Sequence, residues 1–352
     1  MKAAWFYGGP HIEVNEAPDP VPGPGEVLIR VRAAGICGSD LHGYRDPARV
    51  WSGLGIPYLT GHELAGEIAA LGPGVDGLAL GQRVGVEPRH LVGCGHCHFC
   101  RRGDYHLCKE LGRVGGKPTY STGFAEYSLE PADKVFPLPD WVSFEESSIM
   151  DVYACGVHAI HLVPPSPNKT VVVQGAGPIG LTAMEMYKLA GAKKVIVCDV
   201  LDSALEFAKK VGADEVVNSA RTDAVQAVMD LTNGVGAEIV VDGVGGTAPI
   251  FNTNLQMVSP GGTVVIIGMY GGEQTVNSWA AHWKEAGIRW SWSYALWEGV
   301  PEFKIALDLL AAGKLRAKDY ITHTYPLDRI LEGFAAADRK QESGAIKVVI
   351  KP

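Results

Sequence analysis

No stretch of the chain approaches the ~18 consecutive apolar side chains that a membrane-spanning helix needs. The N-terminus, MKAAWFYGGP, carries one lysine and no apolar core of the kind that marks a secretory leader, so the expected location is the cytoplasm. Positive charge is in deficit, with 31 Lys and Arg against 39 Asp and Glu. A net charge of −8 argues against nucleic acid or an anionic membrane as a partner. Internal repeats and low-complexity tracts are absent. Cysteine is scarce at seven residues, yet four of them, Cys94, Cys97, Cys100 and Cys108, fall in one short cluster. In a chain without a leader, such clustering points to a metal and not to a disulfide framework.

What is present is a globular composition, 47% hydrophobic and 20% charged, over 352 residues. That length supports two domains with separate cores. Residues 1 to about 150 read as short strands punctuated by glycine and proline. The clearest is Glu26–Arg32, entered through VPGPG, with others expected near 67–70, 83–87, 125–129 and 134–137. This pattern suggests an irregular β-barrel. A helix is expected over 145–162, ended by VPPSPNK. From Val171 strands and helices alternate, with helices at 201–211, 224–232 and 248–257 and strands at 215–218, 237–242 and 264–269. Alternation of that kind is the mark of a doubly wound α/β domain. The last ~55 residues, with a helix over 301–312 and a strand over 345–350, exceed what a six-stranded nucleotide domain uses, and many of them are expected to pack on the first domain.

The α/β segment opens with VVVQGAGPIG, three β-branched residues and then Gly175, Gly177 and Gly180 at G-x-G-x-x-G spacing. A glycine string alone is a weak signal. Here it lies between a strand and a helix, and the next strand ends at Asp199. The first glycine permits the tight turn, the second lets a pyrophosphate approach the backbone, and the third lets helix and strand pack closely. Pro178 and Ile179 open the helix whose free N–H groups face the phosphates. Asp199 is placed to accept from an adenosine ribose 2′-hydroxyl and to repel a 2′-phosphate, and no arginine follows it in Val200-Leu201-Asp202. NAD is therefore expected over NADP. Strand ends at Asp242–Val244 and Ile267–Gly268 are further cofactor candidates.

Cys94-x2-Cys97-x2-Cys100-x7-Cys108 can wrap one tetrahedral Zn²⁺ and leave no open position, which makes it a structural site. An iron–sulfur cluster is the competing occupant. His96, His98 and His106, in the same lobe, are expected at the surface. A second set is dispersed: Cys37 in AAGICGSDLH, and His62 and Glu63 in GHELAG. Singly, each has a bland reading as a core cysteine or a satisfied histidine. Together they are the donor types of a catalytic zinc with one open position.

GICGSDLH at 35–42, GHELAGEIAALGPGV at 61–75, CGHCHFCRRGDYHLC at 94–108, GAGPIG with Asp199, and the tail segments YPLDRILEGFAAA and GAIKVVI together resemble the zinc-dependent medium-chain dehydrogenases. The similar members are alcohol, sorbitol and threonine dehydrogenases, and the likeness spans essentially the whole chain. It implies an α/β fold with a GroES-like, β-rich catalytic domain over 1–155, its structural-zinc lobe at 94–108. A Rossmann NAD-binding domain over 156–293 and a C-terminal return over 294–352 would follow. By position, Cys37 and His62 resemble zinc ligands, and Glu63 resembles an acid that ligates or supports the metal. Asp151 resembles the aspartate that bacterial members use as a further ligand. Cys155 is its rival, because a residue at i+4 shares the helix face.

The implied reaction is hydride transfer from a zinc-bound alkoxide to NAD, oxidising a secondary alcohol of a polyol, cyclitol, sugar or small diol to a ketone. An L-threonine 3-dehydrogenase-like reaction on a β-hydroxy amino acid is the alternative, and an inactive NAD-binding homologue is a third. Ser39 resembles the first hydroxyl of a proton relay and His42 the imidazole that passes the proton to solvent, while Asp40 reads as part of a helix cap. Tyr44, Arg45, Trp51 and Tyr58 are candidates for the substrate pocket. The expected partner is a small-molecule alcohol, and the resemblance implies a homo-oligomer, tetramer or dimer.

Overall fold

The computed structural model describes residues 1–46, 54–114 and 117–352. It divides into two compact units, Met1–Asp151 with Ala295–Pro352, and Val152–Tyr294. The first division falls inside the helix Met150–Leu162, so the chain leaves one unit along the element on which Asp151 sits.

The first unit is built on a seven-stranded sheet. Its order is Ile321–Pro326, Lys347–Lys351, Glu26–Gly35, Glu63–Leu71, Arg83–Val86 and Val135–Pro137, with Tyr127–Pro131 also paired to Glu26–Gly35. The long strand Glu26–Gly35 alternates buried and partly exposed side chains and then becomes wholly buried over Ala33–Gly35. Register shifts at Leu28/Ile29 and Val31/Ala33 bend it against Glu63–Leu71, as unpaired extra residues do. Gly66 sits at this bend, where a Cβ would lie 2.1 Å from the Arg30 carbonyl oxygen. Val27, Ile29, Val31, Leu64, Ile68, Phe124, Phe334 and Ile350 meet in one apolar core.

Register places the site. Gly35 pairs with Glu63 on one side and with Val349 on the other. Cys37 therefore emerges two residues past Gly35, beside His62-Glu63, while Lys347 arrives from the last strand of the chain.

The second unit is a six-stranded parallel sheet in the order Glu215–Asn218, Lys194–Asp199, Thr170–Gln174, Ala237–Asp242, Val258–Ile266 and Gly287–Trp290. Val171, Val172 and Val173 are fully buried, as continuous apolar strands covered on both faces must be. The chain reverses direction across the sheet at Thr170–Gln174, and ligands bind at the carboxyl ends of strands at such a switch point.

Several boundaries differ from the sequence reading. The helix expected over 145–162 is two, Phe144–Ser148 and Met150–Leu162, broken at Ile149. The helix expected from 248 begins at Phe251, because Pro249 disfavours helical backbone in the residue before it. The strand expected over 264–269 runs Val258–Ile266, and it stops there because the N–H groups of Ile267 and Gly268 both donate to the Asp242 carbonyl. Among the described residues no helix is long and apolar enough to cross a membrane.

Candidate active site and metal centres

The four-cysteine lobe is preassembled. Cys97 caps the short helix His98–Arg102, whose first turn brings Cys100 back, and the turn at Tyr105–Leu107 returns Cys108. Sulfur pairs lie 4.0 Å (Cys94–Cys100), 3.5 Å (Cys97–Cys100) and 3.8 Å (Cys97–Cys108) apart. A tetrahedron with Zn–S bonds of ~2.3 Å has edges of about 3.8 Å, so the donor set fits one zinc ion. An iron–sulfur cluster, with its thiolates on separate irons, spreads them wider. The Cys100 N–H donates to Cys97 and helps lower that thiol to about 7, which favours the thiolate a metal needs. Tyr105, between two of the ligands, donates to the fully buried Glu87 at 2.6 Å, and Lys134 meets the same carboxylate at 2.6 Å. These bonds tie the lobe to the sheet. His96 and His98 are exposed as expected. His106 is buried, which corrects the surface reading: it lies in the turn that packs Cys108 inward.

The dispersed set converges too. Donor atoms of Cys37, His62 and Glu63 all lie within 4.8 Å of one another. Cys37 ends the loop before the helix Gly38–Arg45, and its backbone N–H donates to Asp40 Oδ2 at 2.9 Å, so Asp40 does cap that helix. Burial opposes a charged His62 imidazole, but the negative charges of Cys37 and Asp40 outweigh it and lift the group to about 10. A thiol, an imidazole and a carboxylate gathered this closely suit a divalent cation, which displaces a proton from its ligands on binding.

Glu63 is fully buried and meets Lys347 at 2.6 Å through Oε1. Lys347 also donates to the Ile36 carbonyl at 2.9 Å. Burial pulls the Lys347 ammonium down, but Glu63 and Cys37 reverse this and its net shift is upward. Gly35 makes room for the pair, since a Cβ there would stand 2.1 Å from Glu63 Oε2. Asp151 is buried, and its charge acts on His62, Tyr120 and Lys347, although it is not one of the three groups within 4.8 Å. Cys155 belongs to the second unit and to none of these groups.

Ser39 and His42 stand three residues apart on the helix Gly38–Arg45 and share a face. The Ser39 hydroxyl is buried and makes no hydrogen bond among the described residues, which leaves it available to a ligand. Of the pocket candidates, Tyr58 is buried against Phe6, Tyr44 packs on Phe334, and Arg45 pairs with Asp338 at 2.6 Å. Tyr58 and Tyr44 thus pack in the core, and Arg45 is half-exposed in its ion pair. Trp51 lies outside the described residues.

In the second unit the three glycines divide their work. Gly175 turns at φ +91, where a Cβ would strike Val244. A Cβ on Gly180 would stand 1.8 Å from the Gly175 carbonyl oxygen. Around Gly177 no atom of the described residues lies within 4 Å of such a Cβ, so the space is open to a ligand. Gly177 caps the helix Pro178–Leu189 with no side chain over its N–H groups, and Pro178 stands in its first turn with Ile179 beside it. That end can cradle a phosphate. Asp199 accepts from the Ala176 N–H at 2.7 Å and the Leu201 N–H at 2.9 Å. It braces the glycine loop and stays partly exposed, with acceptor capacity left over.

Asp242, expected at the cofactor, is fully buried and committed elsewhere. Its carboxylate accepts from Val244 N–H, Gly245 N–H, the Asn254 amide and the Tyr270 hydroxyl. It holds the loop that carries Val244, which is exposed, against Ile267 and Gly268. Its role is to shape that rim.

Lys347 and Tyr120 were missed by the sequence reading. Neither stands in a ligand motif, and only the register of distant strands brings Lys347 to Glu63.

Residues 23–140 match the family model of the alcohol dehydrogenase GroES-like domain, and 178–312 that of the zinc-binding dehydrogenases. The chain is 37% identical to the L-threonine 3-dehydrogenase of Pyrococcus horikoshii, covering 100% of this chain and 98% of that one. It is 33% identical to the sorbitol dehydrogenase of Bacillus subtilis, covering 100% and 97%. Among solved structures, an alcohol dehydrogenase from Escherichia coli CFT073 complexed with NADH superposes with a TM-score of 0.87 at 30% identity, covering 100% and 99%.

Proposed function

The chain belongs to the zinc-dependent medium-chain dehydrogenase family, and on that premise we propose that it oxidises a secondary alcohol to a ketone with NAD as acceptor. The substrate class is a polyol, cyclitol, sugar or small diol, as for the sorbitol dehydrogenase it resembles. The observation that carries this reading is the convergence of Cys37, His62 and Glu63 in a chain that also has an open phosphate cradle at Gly177.

Cys37, His62 and Asp151 would hold a catalytic zinc, with Glu63 kept beside it by Lys347, and the four cysteines a structural one. When bound, zinc supplies Lewis acidity toward an alcohol oxygen and NAD supplies the acceptor for hydride. Ser39 Oγ takes the proton of the substrate hydroxyl as it releases its own, and His42, on the same helix face, passes that proton to solvent, with the ribose hydroxyl of the cofactor linking the two when bound; imidazole is suited to exchange near neutral pH. Asp199 selects NAD by accepting from the ribose and repelling a 2′-phosphate.

A second reading is favoured by the 37% identity to a threonine dehydrogenase over the whole chain: oxidation of the β-hydroxyl of L-threonine. Absorbance at 340 nm, with NAD and then NADP, across secondary alcohols, polyols, cyclitols, sugars and L-threonine separates the two. Turnover of L-threonine alone replaces the first reading by the second, and silence with every compound sinks both.

Four adjacent thiols ready for metal suit the reducing cytoplasm. A homo-oligomer, tetramer or dimer, is supported by four tryptophans, Trp279, Trp283, Trp290 and Trp292, that are 50–71% exposed on and beside the edge strand Gly287–Trp290. They offer on the order of 500 Å² of apolar surface, against the ~800 Å² that each partner of an ordinary interface contributes.

A further inference from the structure

Tyr120 lies 58 residues from His62 and outside both metal-ligand motifs, yet its hydroxyl oxygen is 3.1 Å from His62 Nδ1. Its ring is held from two directions. It stacks on His90 with centroids 4.6 Å apart and planes 17° from parallel, and its hydroxyl hydrogen-bonds Thr60. His90 in turn meets His62 edge-on at 5.2 Å. Thr60 Oγ1 reaches Asp40 Oδ1 at 3.5 Å, and Asp40 Oδ2 takes the Cys37 N–H. The hydroxyl thus closes a circuit that runs from Cys37 to His62.

An imidazole that gives one lone pair to a metal carries its proton on the other nitrogen, and a fixed acceptor for that proton sets the ring's orientation. The rival acceptor, Asp40 Oδ1, is 3.9 Å from His62 Nδ1, beyond hydrogen-bond reach.

We propose that Tyr120 is a positioning residue for the catalytic metal: its hydroxyl oxygen accepts the Nδ1 proton of His62 and so presents Nε2 to the ion. The inference rests on the zinc reading of Cys37 and His62. A neutral acceptor orients the ring without adding negative charge to it, which leaves the Lewis acidity of the metal undiminished.

The test is zinc affinity, measured by chelator competition on the full chain, for the wild type, Tyr120→Phe and Asp40→Asn. Phenylalanine keeps the stack on His90 and removes only the oxygen. We expect Tyr120→Phe to weaken the Cys37/His62 zinc by about 10- to 100-fold, with the four-cysteine zinc retained as the internal control for folding. Cobalt substituted at the weakened site should show a shifted visible spectrum. Should the phenyl ring not be tolerated, Thr60→Val makes the same test by freeing the hydroxyl, with a smaller loss expected. Affinity within twofold of wild type in the variant that folds overturns the proposal. So does loss in Asp40→Asn with none in Tyr120→Phe. A wild-type chain that binds zinc only at its four cysteines overturns the underlying metal reading as well, and that outcome is seen before any variant is made.

Discussion

At the scale of single residues the most informative groups are buried charges, because each must be reconciled with an apolar surrounding. Glu130 is fully buried and accepts from Ser128 at 2.6 Å and Ser121 at 3.1 Å. Burial nevertheless wins and raises its carboxyl from 4.5 to about 7. The folded chain then binds more protons than the unfolded one between those values, so stability is full below about 4.5 and falls as pH rises toward 7. At ~1.4 kcal/mol per unit the loss is about 3 kcal/mol. Glu130→Gln should therefore be more stable than wild type at pH 8 and flatten its pH dependence in chemical unfolding; an unchanged slope would mean Glu130 is not the titrating group. The ligand types were legible in the sequence because GHE and the cysteine spacing are local strings. Lys347 was not, since 284 residues separate it from Glu63 and only strand register joins them. Asp242 misled for a related reason: its place at a strand end suggested a ligand contact, but four internal donors use its carboxylate.

At the scale of elements the alternation of strands and helices was legible from Val171 to the strand ending at Ile266, because period and burial agree there; the helix Ser278–Trp283 and the edge strand Gly287–Trp290, with its largely exposed side chains, were not. Boundaries slipped where proline or a loop hydrogen bond intervened, as at Pro249 and at the Asp242 carbonyl. The glycine loop yields a paired prediction. Gly180→Ala forces a Cβ to within 1.8 Å of the Gly175 carbonyl oxygen, so it should destabilise the fold and abolish NAD binding together. Gly177→Ala meets no atom of the described residues within 4 Å and should cost ~1 kcal/mol or less of stability, as a change at a helix cap does. It should still weaken NAD by about tenfold or more, or ~1.4 kcal/mol, because the added methyl occupies the phosphate approach. Calorimetric titration with NAD beside thermal unfolding checks both; equal NAD affinity in Gly177→Ala would move the phosphate elsewhere.

At the scale of the whole molecule, each of the two units has its own sheet: the first gathers metal donors from widely separated segments, and the second carries the glycine loop. The edge strand Gly287–Trp290 exposes indoles that a solitary chain would leave in water. Trp290→Lys with Trp283→Lys should lower the molar mass seen by light scattering, and an unaltered mass would place the interface on another face. The four-cysteine set was visible in the sequence as spacing, whereas Cys37, His62 and Glu63 were visible only as donor types and by resemblance; that the donors of each set lie within 4.8 Å of one another is a property of the folded chain. Zinc content per chain tests the account most directly, measured by atomic absorption together with turnover. The account predicts two zinc ions in the wild type and one in Cys37→Ala, with turnover lost and the fold retained. Two zinc ions and full turnover in Cys37→Ala would contradict it.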